Sequence, residues 1–181
     1  MKIACLISGF LRTFQNNLDK LIEIFSKYDV DYFLHISNDE IKDDYINKKF
    51  NLKLILEKLK PTQVIYENDP NFDNIVMSNI KIMWYKFTIL NCLKNNYSKI
   101  HDIKYDLVFR IRPDILILDN EINLINNIPK NTIFGDNDEF FYGTENTIDK
   151  ISKLYYNFND ILGIKKKGDF FSNLLVKIIL N

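Results

Sequence analysis

The stretch that most constrains this chain runs from Tyr105 to Leu118, YDLVFRIRPDILIL, whose apolar run from Leu107 is interrupted by Arg110, Arg112, Pro113 and Asp114. Runs rich in Leu, Val, Ile and Phe read as buried strand. Side chains two apart along a strand share a face, about 6.6 Å from one another at roughly 3.3 Å per residue. A strand continuing through Pro113 would put Arg110, Arg112 and Asp114 on one face and Leu107, Phe109, Ile111 and Ile115 on the other. Two guanidiniums and a carboxylate within such a stretch are costly to bury without partners of opposite charge. The functional reading is therefore that a polar ligand meets them. A purely structural alternative pairs Arg112 with Asp114 and leaves Arg110 exposed.

Arginine is scarce. Of 24 basic residues only Arg12, Arg110 and Arg112 are arginine, and the remainder of a chain heavy in Ile and Asn is lysine. Such a bias fits an AT-rich genome that uses lysine wherever a bare positive charge suffices. Arginine retained against it points to a need for the planar fork that grips phosphate or carboxylate with two bonds.

At 181 residues the chain fits one domain and can bury a substantial core. Its 24 acidic and 24 basic residues cancel, which removes any general electrostatic case for nucleic-acid binding. Cys5 and Cys92 have no CxxC or Cys/His neighbours, so neither a zinc site nor a disulfide framework is expected. The N-terminal MKIACLISGFLRTF is interrupted by Ser8-Gly9 and lacks a small-residue cleavage site. No stretch approaches the roughly 20 apolar residues of a membrane span. A cytoplasmic location is the expectation, in the host cytoplasm or virion if the chain is viral.

Strands are expected at Lys2–Ser8, Val30–Ser37, Thr62–Glu67 and Thr132–Gly135. Helical stripes run through Leu18, Leu21, Ile22 and Phe25; through Leu52, Ile55, Leu56 and Leu59 before Pro61; and through Ile80, Met83, Trp84, Phe87, Leu90 and Leu93, from about Ser78 to Asn95. A further stripe joins Ile148, Ile151, Tyr155 and Phe158 behind Thr144 as N-cap, and a last helix covers Phe170 to Leu180. Strand–helix–strand at the start predicts a βαβ unit with parallel strands, whose ligands bind beyond the carboxyl ends. That brings Ser8, Gly9, Arg12, Ser37 and Asp39 to one edge. The fold expected is α/β, a mostly parallel sheet flanked by helices.

Ser8-Gly9-Phe10-Leu11-Arg12 is neither a Walker motif nor GxGxxG. Its glycine still permits close approach of a ligand, and a following helix N-terminus favours anions that Arg12 would pair. Asp114, Asp136 and Asp138 supply carboxylates that hard divalent cations bridge to phosphates, although Gly135 and Asn137 also suit a plain polar turn. His35, between Leu34 and Ile36, reads as a core or edge histidine, and His101 sits beside Asp102 in a polar loop. A PD-(D/E)xK nuclease site fails in its second half, because Asp119-Asn120-Glu121-Ile122-Asn123 offers no lysine two residues after an acid.

Taken together, Ser8-Gly9-x-x-Arg12 after the first strand, Asp31-Tyr32-Phe33-Leu34-His35, a long helix before YDLVFRIRPD, and the acidic-aromatic Asp138–Gly143 leading into a helix resemble small GT-A-type glycosyltransferases. These are of the kind encoded in polysaccharide loci and by large DNA viruses. The resemblance implies a single GT-A-like, Rossmann-related domain, with a nucleotide-binding part over residues 1–115 and an acceptor-side part over 116–181. It implies a nucleotide-sugar donor, a glycan or protein acceptor and a divalent metal, Mn2+ or Mg2+. Ser8, Gly9, Arg12 and Asp39 would contact the nucleotide, and Arg110 and Arg112 the diphosphate. Asp114 and Asp136 would hold the metal, with Asp138 or Glu139 as the general base of an inverting transfer. The chain departs from the D-x-D pattern, because Arg112 stands two residues before Asp114, so a guanidinium would take part of the cation's role. The alternatives are a non-catalytic nucleotide- or glycan-binding module and metal-dependent phosphoryl transfer or hydrolysis.

Overall fold

A computed structural model describes residues 1–11, 13–37, 51–71, 75–115, 128–135 and 137–157. Strand β1 (Lys2–Gly9), helix α1 (Phe14–Phe25), strand β2 (Asp29–Ser37), helix α2 (Leu52–Leu59) and strand β3 (Gln63–Glu67) follow in alternation. Helix α3 (Ile75–His101) leads into β4 (Leu107–Ile111), then β5 (Ile133–Gly135), β6 (Phe140–Gly143), α4 (Glu145–Ser152) and a 3-10 turn at Lys153–Asn157. The six-stranded sheet has the order β3-β2-β1-β4-β6-β5. The pairings from β3 through β4 are parallel, and β6 runs antiparallel to both β4 and β5. This is a mixed α/β fold with a largely parallel sheet flanked by helices. Among the described residues no helix is long and apolar enough to cross a membrane.

The period-two alternation of β1 explains the layers. Ile3, Cys5 and Ile7 join Leu107, Phe109 and Ile111 of β4 beneath α1 and α2, packing on Leu18, Leu21, Ile55 and Leu59. Ala4 and Leu6 face the other way with Val108, onto Trp84, Phe87 and Leu90 of α3 and Ile148 and Ile151 of α4. Both faces of β1 and β4 are thus covered, as strands with near-continuous apolar sequence require. Cys5 is a fully buried free thiol.

Several boundaries have local causes. Helix α2 begins where the Asn51 Oδ1 accepts the Leu54 amide at 3.0 Å. It ends at Lys60, which adopts φ 48 ahead of Pro61. Helix α4 has its expected cap: the Thr144 side chain accepts the Thr147 amide. Helix α3 is longer than the stripe predicted and takes in His101, placed in a loop by the sequence reading, whose ring lies 4.2 Å from that of Tyr97. The expected helix over Phe170–Leu180, and Phe158 of the preceding stripe, lie outside the described residues.

Two expectations about strands are corrected. β4 does not continue through Pro113: it stops at Ile111, because proline has no amide to extend the ladder. The chain turns instead, with Thr13 Oγ1 and Asn17 Nδ2 of the α1 region donating to the carbonyls of Asp114 and Ile115 at 3.4 and 2.6 Å. Arg110, Arg112 and Asp114 are consequently not three rungs on one strand face. The second correction concerns Phe140–Gly143, read only as a lead into a helix. It forms β6, where Tyr142 stacks on its register partner Phe109 at 4.6 Å and on Phe134 of β5 at 5.7 Å.

Candidate functional site

The strand order reverses beside β1: β2 and β3 lie on one side of it and β4 on the other. In open parallel sheets such a reversal opens a crevice at the carboxyl ends of the strands, where ligands bind. A cleft of about 360 Å³ lies there, lined by Ser8 and Gly9 of β1, Ser37 of β2, Arg110 of β4, and Arg112, Asp114 and Asp138 from the turns that follow. Asp69 and Lys86 complete its polar side, and Phe10 with Ile80 and Met83 of α3 gives it apolar surface.

Arg110 is the buried cation of this cleft. It is 2% exposed, because its place in β4 turns it onto the α3 face beside the register partner Leu6. Of the five guanidinium N–H donors, one hydrogen bond is made among the described residues, from Nη1 to the Glu139 carbonyl at 3.0 Å. Burial pulls its pKa down to about 10, against the opposing pull of Asp138, Asp114 and Glu139. The group therefore stays charged at neutral pH. The structural alternative from sequence, an exposed Arg110, is wrong in this respect: both its neighbours in β4 are core residues and α3 closes over the same face.

Arg112 behaves differently. Its Nε and Nη2 donate to the two oxygens of Asp114 at 2.9 and 2.8 Å, and its Nη1 donates to Glu139 Oε1 at 2.7 Å. These bonds, the Asp114 pair foremost, raise its pKa. The backbone completes the clamp, with the Arg112 amide donating to the Glu139 carbonyl at 2.8 Å. One guanidinium thus fastens the turn after β4 to the turn before β6 with charge-assisted bonds.

Lys86 was missed by the sequence reading. It is 1% exposed, ion-paired with Asp69 and bonded to the Ser37 hydroxyl, and its ammonium lies 5.8 Å from the centre of the Phe10 ring. The signal was present: Lys86 and Lys94 stand four residues before and after Leu90, inside the apolar stripe of α3. A lysine on the core face of a helix needs an acidic partner, and both have one.

No protein-family model matches the chain, and no curated protein matches it.

The cleft collects Ser8, Gly9, Arg110, Arg112, Asp114 and Asp138 from the residues singled out in sequence. Arg12, Asp39 and Asp136 lie outside the described residues. Gly9 has φ +135, a backbone conformation that L side chains rarely adopt, and a Cβ there would approach Pro113 Cδ to 3.3 Å. Ser8 is 3% exposed and its hydroxyl has no hydrogen-bond partner among the described residues. Asp138 makes no hydrogen bond or ion pair among them and feels Arg110 through space, whereas the Glu139 carboxylate is held by Arg112. His35 lies off the cleft, fully buried, with Nε2 2.8 Å from Glu67 Oε1 and Nδ1 without a hydrogen-bond partner among the described residues.

For a divalent metal the described residues are a poor match. Both oxygens of Asp114 are engaged by Arg112, and no group of three or more His, Cys, Asp or Glu side chains among the described residues could hold an ion. The arrangement suits an anion instead: a buried guanidinium with uncommitted donors, an unpartnered hydroxyl, and a glycine backbone at the mouth.

Proposed function

We propose that the cleft binds the diphosphate of a nucleotide-sugar and that the chain transfers the sugar to a hydroxyl of a glycan or protein acceptor. The observation that carries this reading is Arg110, a buried cation with uncommitted donors facing the cleft at the strand-order reversal. Leaving-group charge develops on the diphosphate as the sugar departs, and a preorganised guanidinium shielded from water stabilises that charge more than the ground state. The Ile80 and Met83 wall offers apolar surface to the rest of the donor. In an inverting transfer the acceptor oxygen attacks the anomeric carbon, its proton passes to the Asp138 carboxylate, and the bond to the diphosphate breaks with its electron pair on the leaving oxygen. Asp138 takes this role in preference to Glu139, whose carboxylate is committed to Arg112.

Calorimetric titration with UDP, GDP and CDP tests the binding step: one of the three should bind, and the reading fails if none does. Asp138→Asn should then keep nucleotide affinity and lower sugar transfer by about 10²-fold or more. A second reading, a nucleotide-binding module without catalysis, draws support from the commitment of both Asp114 and Glu139 to Arg112. Nucleotide binding without sugar transfer by wild type would favour it, and equal transfer by wild type and Asp138→Asn would overturn the role of Asp138.

A further inference from the structure

We propose that the cleft takes a diphosphate group directly on Arg110, Ser8 and Lys86, without a bridging metal ion, and that Asp114 and Glu139 serve to hold an arginine. The inference deepens the reading of the cleft as a nucleoside diphosphate site and rests on it for the ligand's class.

Three observations carry it. Arg110 is 2% exposed and has one hydrogen bond among the described residues, so most of its fork is available to anionic oxygens. Ser8, one residue before the end of β1, lies on the same sheet face, since Ala4, Leu6 and Ser8 alternate with Ile3, Cys5 and Ile7, and its buried hydroxyl is unpartnered among the described residues. Lys86 reaches the cleft from α3 with Ser37 and Asp69 as partners for two of its three ammonium donors. A hydroxyl, an ammonium and a guanidinium from three different elements line one small cleft, the donor set that a diphosphate's several oxygens require.

Among the described residues, Asp114 and Glu139 do not offer the complementary site for a cation. A metal at Asp114 would have to displace two short bonds from Arg112 and then sit beside the charges of Arg110 and Arg112. Glu139 is turned to the third side of the same guanidinium. The pairing also explains why arginine stands where the D-x-D pattern has its first aspartate: Arg112 ties the two turns that frame the cleft.

The test is calorimetric titration of the full chain with inorganic pyrophosphate in EDTA, repeated with manganese. Wild type should bind pyrophosphate in EDTA, with no gain from manganese. Arg110→Met should weaken binding by about tenfold or more and Ser8→Ala by about fivefold, the losses expected for a charge-assisted and an ordinary hydrogen bond. Circular dichroism and thermal melting confirm folding, and Ser8→Ala decides the matter if Arg110→Met does not fold. Pyrophosphate binding that needs manganese, or binding unchanged in the folded variants, overturns the inference. UDP, GDP and CDP in the same two buffers separate it from the reading beneath it. A nucleotide that binds only with manganese overturns the metal-free site and leaves the nucleotide reading standing. Pyrophosphate binding in EDTA with no nucleotide binding overturns the nucleotide reading and leaves the anion site standing.

Discussion

Helix α3 carries two buried lysines, and their surroundings separate a structural charge from a functional one. Lys94 is 0% exposed, with its ammonium 2.8 Å from Glu145 and 3.3 Å from Asp149, both of α4. Asn91 and Asn95 add bonds to the same Asp149 oxygen at 2.8 and 3.0 Å, and Asn91 also donates to Ser152 Oγ at 2.9 Å. Thr88 closes the network on the Ser152 carbonyl at 2.6 Å. There the buried charge is matched by carboxylates that are hydrogen-bonded in turn, and Asn91 Oδ1, an acceptor, is left without a partner among the described residues. At the cleft, Lys86 has Asp69 and Ser37, but beside it Arg110 has no direct carboxylate contact among the described residues and Ser8 has no partner. Burial of charge is common to both regions. What distinguishes the cleft is donors left over.

The contrast can be broken from either end. Lys94→Ala should give the largest effect, a loss of about 3 kcal/mol of stability in urea unfolding, at the lower end for a broken buried pair because Glu145 and Asp149 are partly exposed. Its folded fraction should bind pyrophosphate as wild type does. Arg110→Met should show the reverse: about 2 kcal/mol less binding energy for diphosphate, with unfolding midpoint unchanged or raised, because an apolar side chain of similar length relieves a buried charge. Equal stability losses in the two variants would erase the distinction between the regions.

Smaller effects sharpen it. Gly9→Ala should cost about 1–2 kcal/mol of stability, since alanine is strained at φ +135 and the new Cβ crowds Pro113; the diphosphate affinity should fall with it if the cleft mouth shifts. His35 provides the smallest effect. Burial lowers its pKa, outweighing the raising influence of Glu67, while Lys86 adds to the lowering. The folded state thus binds its proton less readily than the unfolded chain. Stability should be fully present above the unfolded pKa of about 6.5 and fall as pH drops below it, by no more than about 1.4 kcal/mol per pH unit for one group. In His35→Gln that slope should flatten, which urea titrations between pH 5 and 8 would reveal.

Much of the fold was legible because local pattern and tertiary burial agree where both faces of a strand are covered. The runs at Lys2–Ser8 and Val30–Ser37 and the stripe through Leu18 and Leu21 need no distant partner to be recognised. Asn51 and Pro61 bracket α2 for reasons contained in the residues themselves. β6 was less visible: four residues, three of them aromatic and the last a glycine, acquire their strand identity from pairing with β4 and β5. A further constraint sits in Gly135, where a Cβ would run into the Phe140 carbonyl across the hairpin.

For the site, the sequence by itself determined part of the inventory: arginines kept in a lysine-rich chain, a glycine after the first strand, and the acids Asp114 and Asp138, while the stop at Pro113 and the two lysines within the apolar stripe of α3 went unread. Those follow from side-chain chemistry and periodicity, which are properties of neighbours along the chain. Only the tertiary structure decided which charges were already matched. Arg112 and Asp114 are two residues apart and find each other locally, but Glu139 reaches Arg112 from 27 residues along the chain and Lys86 reaches the cleft from 24 residues before Arg110. Coulomb energy and desolvation depend on distances through space and on what covers each group. For that reason Arg110 and Arg112, near twins in the sequence, become a buried cation facing a cleft and a clamp between two turns.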